Sequence, residues 1–272
     1  MYILVYTMQL TKRAVRIGNG AAIYVPKKYG GKELIVIFPE EIQEIRKRVL
    51  TNLIDFMPNI IGIYLYGSYA RNEQKENSDI DIFAITQEKD ENIKKELSGF
   101  DARIMTLKGV KNAIENYPLL IMPILKEAKP LLNPHLLEEL KNSKIELKKL
   151  KWNFEDIKRI IKIIEGFIEI DKNDISPSHI YSLMIRIRSC LLMECLLKNK
   201  KFSNESIKRL LINYGFEEKA VDNFFDIYAL IRENKEFKIN VKKSEILRLI
   251  KFLKEYSKKL ENETKKKIGK RY

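Results

Sequence analysis

Two aspartates, Asp79 and Asp81, stand at the end of the segment GSYARNEQKENSDID and are the side chains best suited to chemistry in this chain. The apolar, β-branched run over residues 60–66 predicts a buried strand before the segment, and residues 80–85 predict a second strand that begins at the acids. Alternation along a strand places Asp79 and Asp81 on one face, about 7 Å apart. Paired carboxylates repel each other unless a divalent cation lies between them. Mg²⁺ is the expected ion because it prefers oxygen ligands.

The same segment resembles the signature of the DNA polymerase β-type nucleotidyltransferase superfamily, GSxARGxxxxxSDxD. The matching positions are Gly67, Ser68, Ala70, Arg71, Ser78, Asp79 and Asp81. Asn72 replaces the second glycine of the family, and asparagine is the residue best able to replace glycine at a positive φ. The resemblance implies transfer of an NMP from an NTP, with ATP as the expected donor. An acidic strand end in an unrelated α/β domain is the alternative.

The resemblance also implies roles for the residues of the turn. Gly67 lets the backbone approach the triphosphate, and Ser68 donates its hydroxyl to it. Free N–H groups of the helix that begins there point at phosphate oxygens. Arg71 either adds a phosphate contact or is simply solvated.

A third carboxylate is expected on the next strand. Nucleotidyl transfer needs alignment of the reactants and neutralisation of charge, which two metal ions about 3.5–4 Å apart supply. Asp101 is the only acid in the strand-like run over residues 100–106. By resemblance it completes the metal site with Asp79 and Asp81 and helps to deprotonate the attacking hydroxyl, and a surface aspartate is the alternative. Arg103, on the same face, is either a phosphate contact or an ion-pair partner of the acids.

Composition narrows the function classes. The 272 residues include 51 basic and 37 acidic side chains, and the net charge of +14 indicates a polyanionic partner or substrate. A heat-adapted, charge-rich surface is the alternative. Two cysteines in an apolar helical stretch predict buried thiols, and two histidines argue against zinc or triad chemistry. Neither a signal peptide nor a membrane span is evident, so the cytoplasm is the expected location.

The predicted fold class is α+β, in which a small mixed-sheet nucleotidyltransferase domain lies between a β-rich N-terminal module and an all-α bundle. The N-terminal module, 1–39, has strand-like runs at 9–17, 21–25 and 33–38, with a hairpin signal at Gly18-Asn19-Gly20. Its sequence RIGNGAAIYVPKKYGGKELIVIF resembles AbrB-like DNA-binding modules. That resemblance implies a homodimer and DNA contact. A β-extension of the enzyme domain is the alternative.

Residues 40–132 form the predicted catalytic module, a mixed sheet with helices on one side. Residues 133–264 are predicted to be helical, in segments 134–170 with a break near Asn142-Ser143, then 178–198, 204–213, 217–233 and 243–262. The stretch IRIRSCLLMECLLKNKKFSNESIKRLL resembles HEPN-type helical domains. No histidine follows Arg186 and Arg188, so the nuclease activity of that group is not expected, and ion pairing is the favoured role of both arginines. Residues 265–272 are predicted to be a disordered basic tail.

The predicted function is Mg²⁺-dependent transfer of an NMP to a hydroxyl, with release of pyrophosphate. The favoured acceptor is a protein side chain or a small molecule, because the module is minimal and is joined to a helical domain. Two alternatives stay open. One is a nucleic-acid 3′ end as the acceptor, which the positive charge favours. The other is a DNA-binding regulator that uses the transferase fold only to bind nucleotide, which the AbrB-like start favours.

Overall fold

The computed structural model describes residues 15–32, 41–74, 78–170, 176–235 and 242–269. The chain divides into two compact units, Met1–Pro39 and Glu40–Tyr272. The strands are β1 (Val15–Ile17), β2 (Gly20–Ala22), β3 (Ile60–Tyr66), β4 (Asp81–Thr86), β5 (Asp101–Thr106) and β6 (Lys129–Leu132). The α-helices are α1 (Ile42–Asn52), α2 (Gly67–Arg71), α3 (Glu91–Glu96), α4 (Leu107–Asn116), α5 (Pro118–Glu127), α6 (Pro134–Lys141), α7 (Lys151–Ile170), α8 (Ser178–Lys198), α9 (Asn204–Asn213), α10 (Glu218–Arg232) and α11 (Lys243–Gly269). None of the described helices is long and apolar enough to cross a membrane.

The described part of the N-terminal unit contains a β-hairpin. β1 and β2 pair in antiparallel fashion around a two-residue turn, and Gly18 in that turn has a φ of +57°. The hairpin predicted from the Gly18-Asn19-Gly20 signal is confirmed, although the pairing ends at Ala22 and not at Val25. The predicted strand residues 9–14 and the predicted strand 33–38 lie outside the described residues.

The second unit contains a four-stranded sheet with the strand order β5-β4-β3-β6. β3 pairs antiparallel with both β4 and β6, and β4 pairs in parallel with β5. The mixed sheet predicted from the sequence is therefore confirmed. Because β4 and β5 are parallel, their first residues lie at the same end of the sheet.

Helices cover both faces of this sheet, so the predicted arrangement with helices on one side is wrong. Ile63 and Leu65 of β3 pack in a core with α1 and α3, whereas Tyr64, between them in sequence, packs in a second core with α4, α5 and α6. β4 divides in the same way, with Ile82 in the first core and Phe83 in the second. Because both faces of the central strands are apolar, each face needs a layer of helices to keep it from water.

The remaining helices, α7 to α11, form a bundle with its own apolar core. The predicted break after α6 is confirmed, since that helix ends at Lys141 and α7 begins at Lys151 after a short 3-10 turn. Leu119 of α5 belongs to the bundle core, and α5 packs against α8. The bundle therefore packs against α5, which also contributes to the second core of the sheet.

The C-terminal segment is helical where the sequence predicts a disordered tail. α11 continues to Gly269, and Thr264 is buried and donates a hydrogen bond to the carbonyl oxygen of Leu260. The Lys267 ammonium donates to the carbonyl oxygen of Leu197, at the end of α8. The prediction is therefore wrong for residues 265–269. A threonine continues the buried stripe of α11 at position 264, and the basic side chains beyond it concealed that continuation in the sequence.

Candidate active site

The turn after β3 explains why a glycine is needed at position 67. Gly67 has a φ of +72°, a conformation that residues with a side chain rarely adopt. A Cβ atom at this position would lie 1.9 Å from Oδ2 of Asp81. Gly67 therefore serves first to let the Asp81 carboxylate lie directly against the backbone of the turn. At the other end of α2, Asn72 has a φ of +57°, so the prediction that asparagine replaces glycine at a positive φ is confirmed.

Asp81 and Asp101 lie side by side at the same end of the sheet. Each is the first residue of its strand, and the two are register partners in the parallel β4–β5 pair. On the other side of Asp81, its antiparallel partner is Tyr66, the last residue of β3. The three residues form one row across three strands. The alternation of these strands places the row on the face that α4, α5 and α6 cover.

Asp79 lies outside this row. β4 begins at Asp81, and Asp79 belongs to the irregular segment that precedes it, with its side chain exposed. The argument from strand alternation, which placed Asp79 and Asp81 on one strand face, is therefore wrong. Within the described part of the chain, no three aspartate, glutamate, histidine or cysteine side chains are grouped closely enough to hold a metal ion.

Arg71 and Gly67 share a carboxylate that sequence analysis missed. Glu127, the last residue of α5, accepts a hydrogen bond from the Gly67 amide at 2.9 Å through Oε1. Its Oε2 accepts from Arg71 Nη1 at 2.7 Å, and Arg71 Nε donates to Glu73 at 2.9 Å. Only 12% of the Arg71 side chain is exposed, so the solvated alternative for this arginine is wrong. No motif marks Glu127, which lies 56 residues beyond Arg71 in the chain.

The electrostatics of the site reflect crowded negative charge. The pKa of the Asp81 carboxyl is raised to about 6, first by burial and then by the charges of Asp101 and Glu127. The positive charges of Arg232 and Arg71 oppose this shift. Burial likewise raises the pKa of the Tyr66 hydroxyl to about 12, with Asp81 and Asp101 adding to the shift. Carboxylate oxygens are the ligands that Mg²⁺ prefers, and a divalent cation would relieve the repulsion that adds to the effect of burial on these pKa values.

The remaining predicted side chains lie near this row. Ser68 is partly buried in the first turn of α2. Arg103 is the second residue after Asp101 in β5 and is exposed on the same face of the strand. Its positive charge acts on Tyr66, in opposition to the carboxylates.

The helical bundle contributes positive charge to the same region. The guanidinium of Arg188 in α8 lies 4.7 Å from the centre of the Phe202 ring, and that of Arg71 lies 5.9 Å from the same ring. Burial lowers the pKa of Arg188, whose charge interacts with those of Arg71, Glu127 and Arg232. Phe202 therefore lies close to both the arginine of the sheet motif and an arginine of the bundle.

Arg186 has a different role. Its guanidinium forms an ion pair with Asp156 of α7 at 3.1 Å, and the ion-pairing prediction is confirmed for this residue. Arg188 instead donates a hydrogen bond to Asn204 Oδ1 at 3.3 Å and stacks on Phe202, so ion pairing does not describe it. Arg186 and Arg188, two residues apart in α8, therefore contact different parts of the molecule.

Comparison with protein families gives one match. The family model described as polymerase beta, nucleotidyltransferase, matches residues 48–135, which run from α1 to the start of α6. A comparison with curated proteins gives no significant match.

Several solved structures are similar to the chain at low identity. Spectinomycin adenyltransferase AAD(9) from Enterococcus faecialis, solved with ATP and spectinomycin, has 13% identity and a TM-score of 0.45 over 80% of this chain and 98% of that one. A nucleotidyltransferase-like protein from Exiguobacterium sibiricum 255-15 has 11% identity and a TM-score of 0.34 over 79% and 75%. A toxin–antitoxin structure with AMP-PNP has 21% identity and a TM-score of 0.28 over 45% and 98%.

Because every one of these TM-scores is below 0.5, the assignment depends on the family match and on the geometry of the turn and strands. The match ends at residue 135, so the AbrB-like and HEPN-like resemblances stay predictions. Within the matched range, Asp81 is the register partner of Asp101 and lies directly against the Gly67 turn. Residues 48–135 therefore form a nucleotidyltransferase domain of the polymerase β family.

Proposed function

We propose that this protein transfers an NMP from an NTP, with ATP as the expected donor, to a hydroxyl group and releases pyrophosphate. The observation that supports this most directly is the pairing of Asp81 and Asp101 on adjacent strands beside the Gly67 turn. A scaffold that only binds nucleotide has no need for carboxylates that repel each other in this way.

Mg²⁺ is the proposed cofactor, with two ions expected. Asp79, Asp81 and Asp101 are the residues that would hold it, and the crowded oxygen chemistry around Asp81 supports that assignment. When bound, the ions neutralise the charge that develops on the phosphates and make the acceptor hydroxyl more acidic.

The side chains of the turn are proposed to bind the triphosphate, and Asp101 to act on the acceptor. The Gly67 amide, the Ser68 hydroxyl and the Arg71 guanidinium are donors suited to phosphate oxygens. The acceptor oxygen attacks the α-phosphorus, the bond from that phosphorus to the bridging oxygen breaks, and pyrophosphate leaves. Asp101 takes the proton of the acceptor hydroxyl.

The bundle is proposed to bind phosphate from the opposite side. The charge of Arg232 acts on Asp81 and that of Glu127 acts on Arg188, and these couplings support the proposal. Cations at this place would stabilise the charge of the leaving pyrophosphate.

A protein side chain or a small molecule is the proposed acceptor class. The described elements between β3 and β6 are the sheet and its covering helices, and no described element extends from them to hold a template. The net charge of +14 supports the alternative, a nucleic-acid 3′ end. The cytoplasm, which supplies NTPs, is the proposed location.

The decisive experiment is to incubate the purified protein with each α-labelled NTP and Mg²⁺ and to identify the molecule that becomes labelled. We expect label from ATP in a protein or a small molecule, and no label in EDTA or with Asp81→Asn. Label in nucleic acid, with a rate that falls steeply with salt, would favour the alternative acceptor, since each neutralised phosphate adds about 0.7–0.9 to the log–log slope. Absence of transfer from all four NTPs would contradict the proposed function.

For the N-terminal unit we propose DNA contact and a homodimer. Its hairpin region exposes large apolar side chains, with 51% of Val15, 53% of Ile17 and 64% of Tyr24 accessible, and such residues suit a partner surface. Light scattering and DNA retention should be compared between the full chain and a chain that starts at Glu40. Unchanged mass and unchanged retention would leave this unit with a structural role.

A further inference from the structure

Glu127 fills the position in which the proposed function places a phosphate. Its two carboxylate oxygens accept from the Gly67 amide at 2.9 Å and from Arg71 Nη1 at 2.7 Å. Both donors are among those that the proposed function assigns to the triphosphate. Only 16% of the Glu127 side chain and 12% of the Arg71 side chain are exposed, so water does not replace this contact easily.

This contact brings a negative charge close to others of the same sign. The charges of Glu127 and Asp101 both act unfavourably on Asp81. Arg71 also has a carboxylate partner in Glu73, at 2.9 Å, and would keep that partner if Glu127 moved away. The Gly67 amide and Arg71 therefore bind an anion at a place where the neighbouring carboxylates disfavour one, and an anion that arrives with its own cations would be favoured over Glu127.

We propose that Glu127 is an intramolecular competitor of the nucleotide, whose carboxylate must leave the Gly67 amide and the Arg71 guanidinium before the triphosphate binds there. The identity of the ligand rests on the proposed function. Glu127 is suited to such a change because it is the last residue of α5, and its long side chain can rotate away without disturbing the helix. The competing explanation is a fixed clamp that orients the turn.

The test uses the full chain with Glu127→Gln, which keeps the size of the side chain and removes its charge. Binding is measured for inorganic tripolyphosphate and, with Mg²⁺, for an ATP analogue with a methylene bridge between the α- and β-phosphorus atoms. We expect both dissociation constants to fall about tenfold, which corresponds to about 1.4 kcal/mol. Unchanged or weaker binding of both probes would overturn the proposal and assign Glu127 to a clamp.

Two matched variants control for charge. Glu138→Gln makes the same change on α6, where Glu138 pairs with Lys141, and should leave both dissociation constants unchanged. Glu73→Gln frees Arg71 Nε without touching the Gly67 amide, so it should tighten binding less than Glu127→Gln does. An equal gain from Glu73→Gln would attribute the effect to the charge around Arg71 and overturn the proposal.

A shorter carboxylate keeps the test decisive if Glu127→Gln does not fold. Glu127→Asp retains the charge but lacks the length to bridge both donors, and it should also tighten binding. Failure of both variants to fold would make Glu127 structural and overturn the inference. Tighter tripolyphosphate binding with no binding of the analogue would support the competitor and contradict the proposed function. Equal binding of the analogue to wild type and variant would support the proposed function and contradict the role of Glu127 as a competitor.

Discussion

The sheet of the nucleotidyltransferase domain and the helical bundle contribute opposite charges to the candidate site. The sheet provides Asp81 and Asp101 at the starts of two parallel strands, and the bundle provides Arg188 of α8 and Arg232 of α10. The family match includes the first pair and ends at residue 135, before the second pair. The family match therefore includes the acidic residues of the candidate site, whereas the basic residues are found only from the packing of the bundle.

The two regions also position their residues differently. Backbone pairing places the acids, because Asp81 and Asp101 are register partners whatever their side chains do. Side-chain packing places the cations, because Arg188 is held by the Phe202 ring and by Asn204. Substitutions in the sheet row should therefore change chemistry with the fold intact, whereas those in the bundle should separate into binding effects and stability effects.

The largest expected effect is that of Asp81→Asn. Loss of a proposed metal ligand should remove several kcal/mol of transition-state stabilisation, so the transfer rate should fall about 10³-fold or more. The melting temperature should rise or stay equal, because a repelled carboxylate is removed. Asp55→Asn, in the 3-10 turn before β3, makes the same change away from the site and should leave both quantities unchanged. Retained turnover in Asp81→Asn would contradict the metal-site proposal.

Arg188→Ala and Arg186→Ala should separate binding from stability within one helix. Charged hydrogen bonds contribute about 1.5–3 kcal/mol, so loss of Arg188 should raise the KM for NTP about 10–100-fold. Loss of Arg186 removes a partly buried ion pair with Asp156 and should cost about 1 kcal/mol, a fall in Tm of about 2–4 °C with KM unchanged.

Steady-state kinetics and thermal unfolding of the two variants check this pair of expectations. Arg188→Lys is a useful third variant, because it keeps the charge and loses the planar contact with the Phe202 ring. The same rise in KM in both alanine variants would show that the bundle acts on the site through its overall charge and not through Arg188.

The smallest expected effect is a pH dependence of stability in wild type that Asp81→Asn lacks. The folded pKa of Asp81, about 6, lies above its ordinary value of 3.8, so the folded state binds more protons between these values. The stability that protonated Asp81 gives is fully present below pH 4 and is lost as the pH rises to about 6, by about 3 kcal/mol at most.

Thermal unfolding in EDTA should therefore show that the free energy of unfolding of Asp81→Asn increases relative to that of wild type from pH 4 to 6. Above pH 6 the difference should stay constant. Added Mg²⁺ should reduce the difference, because a bound cation favours the charged carboxylate of the wild type. A difference that does not change with pH would show that the raised pKa of Asp81 has no effect on folding.

Much of the candidate site could be predicted because its signals are local. The motif identified Gly67, Arg71 and Asp81 within one short segment, and the asparagine at a positive φ followed from its position in that segment. The local pattern failed for Asp79, since strand alternation applies only where pairing has begun, and β4 begins at Asp81. The prediction of a disordered tail also failed, because it was based on the basic composition of the segment. Thr264 is buried and continues the buried face of α11.

The sequence by itself determined the order of the elements, the family of the central domain and the identity of the acids at the strand starts. Only the tertiary structure decided that helices cover both faces of the sheet and that Glu127 reaches back to Gly67. It also decided that Arg188 contacts Phe202 and Asn204, whereas Arg186 pairs with Asp156. The physical reason is the range of the interactions: turn conformation and strand alternation are set by neighbours in the chain, whereas a contact between residues 60 positions apart depends on how whole layers pack.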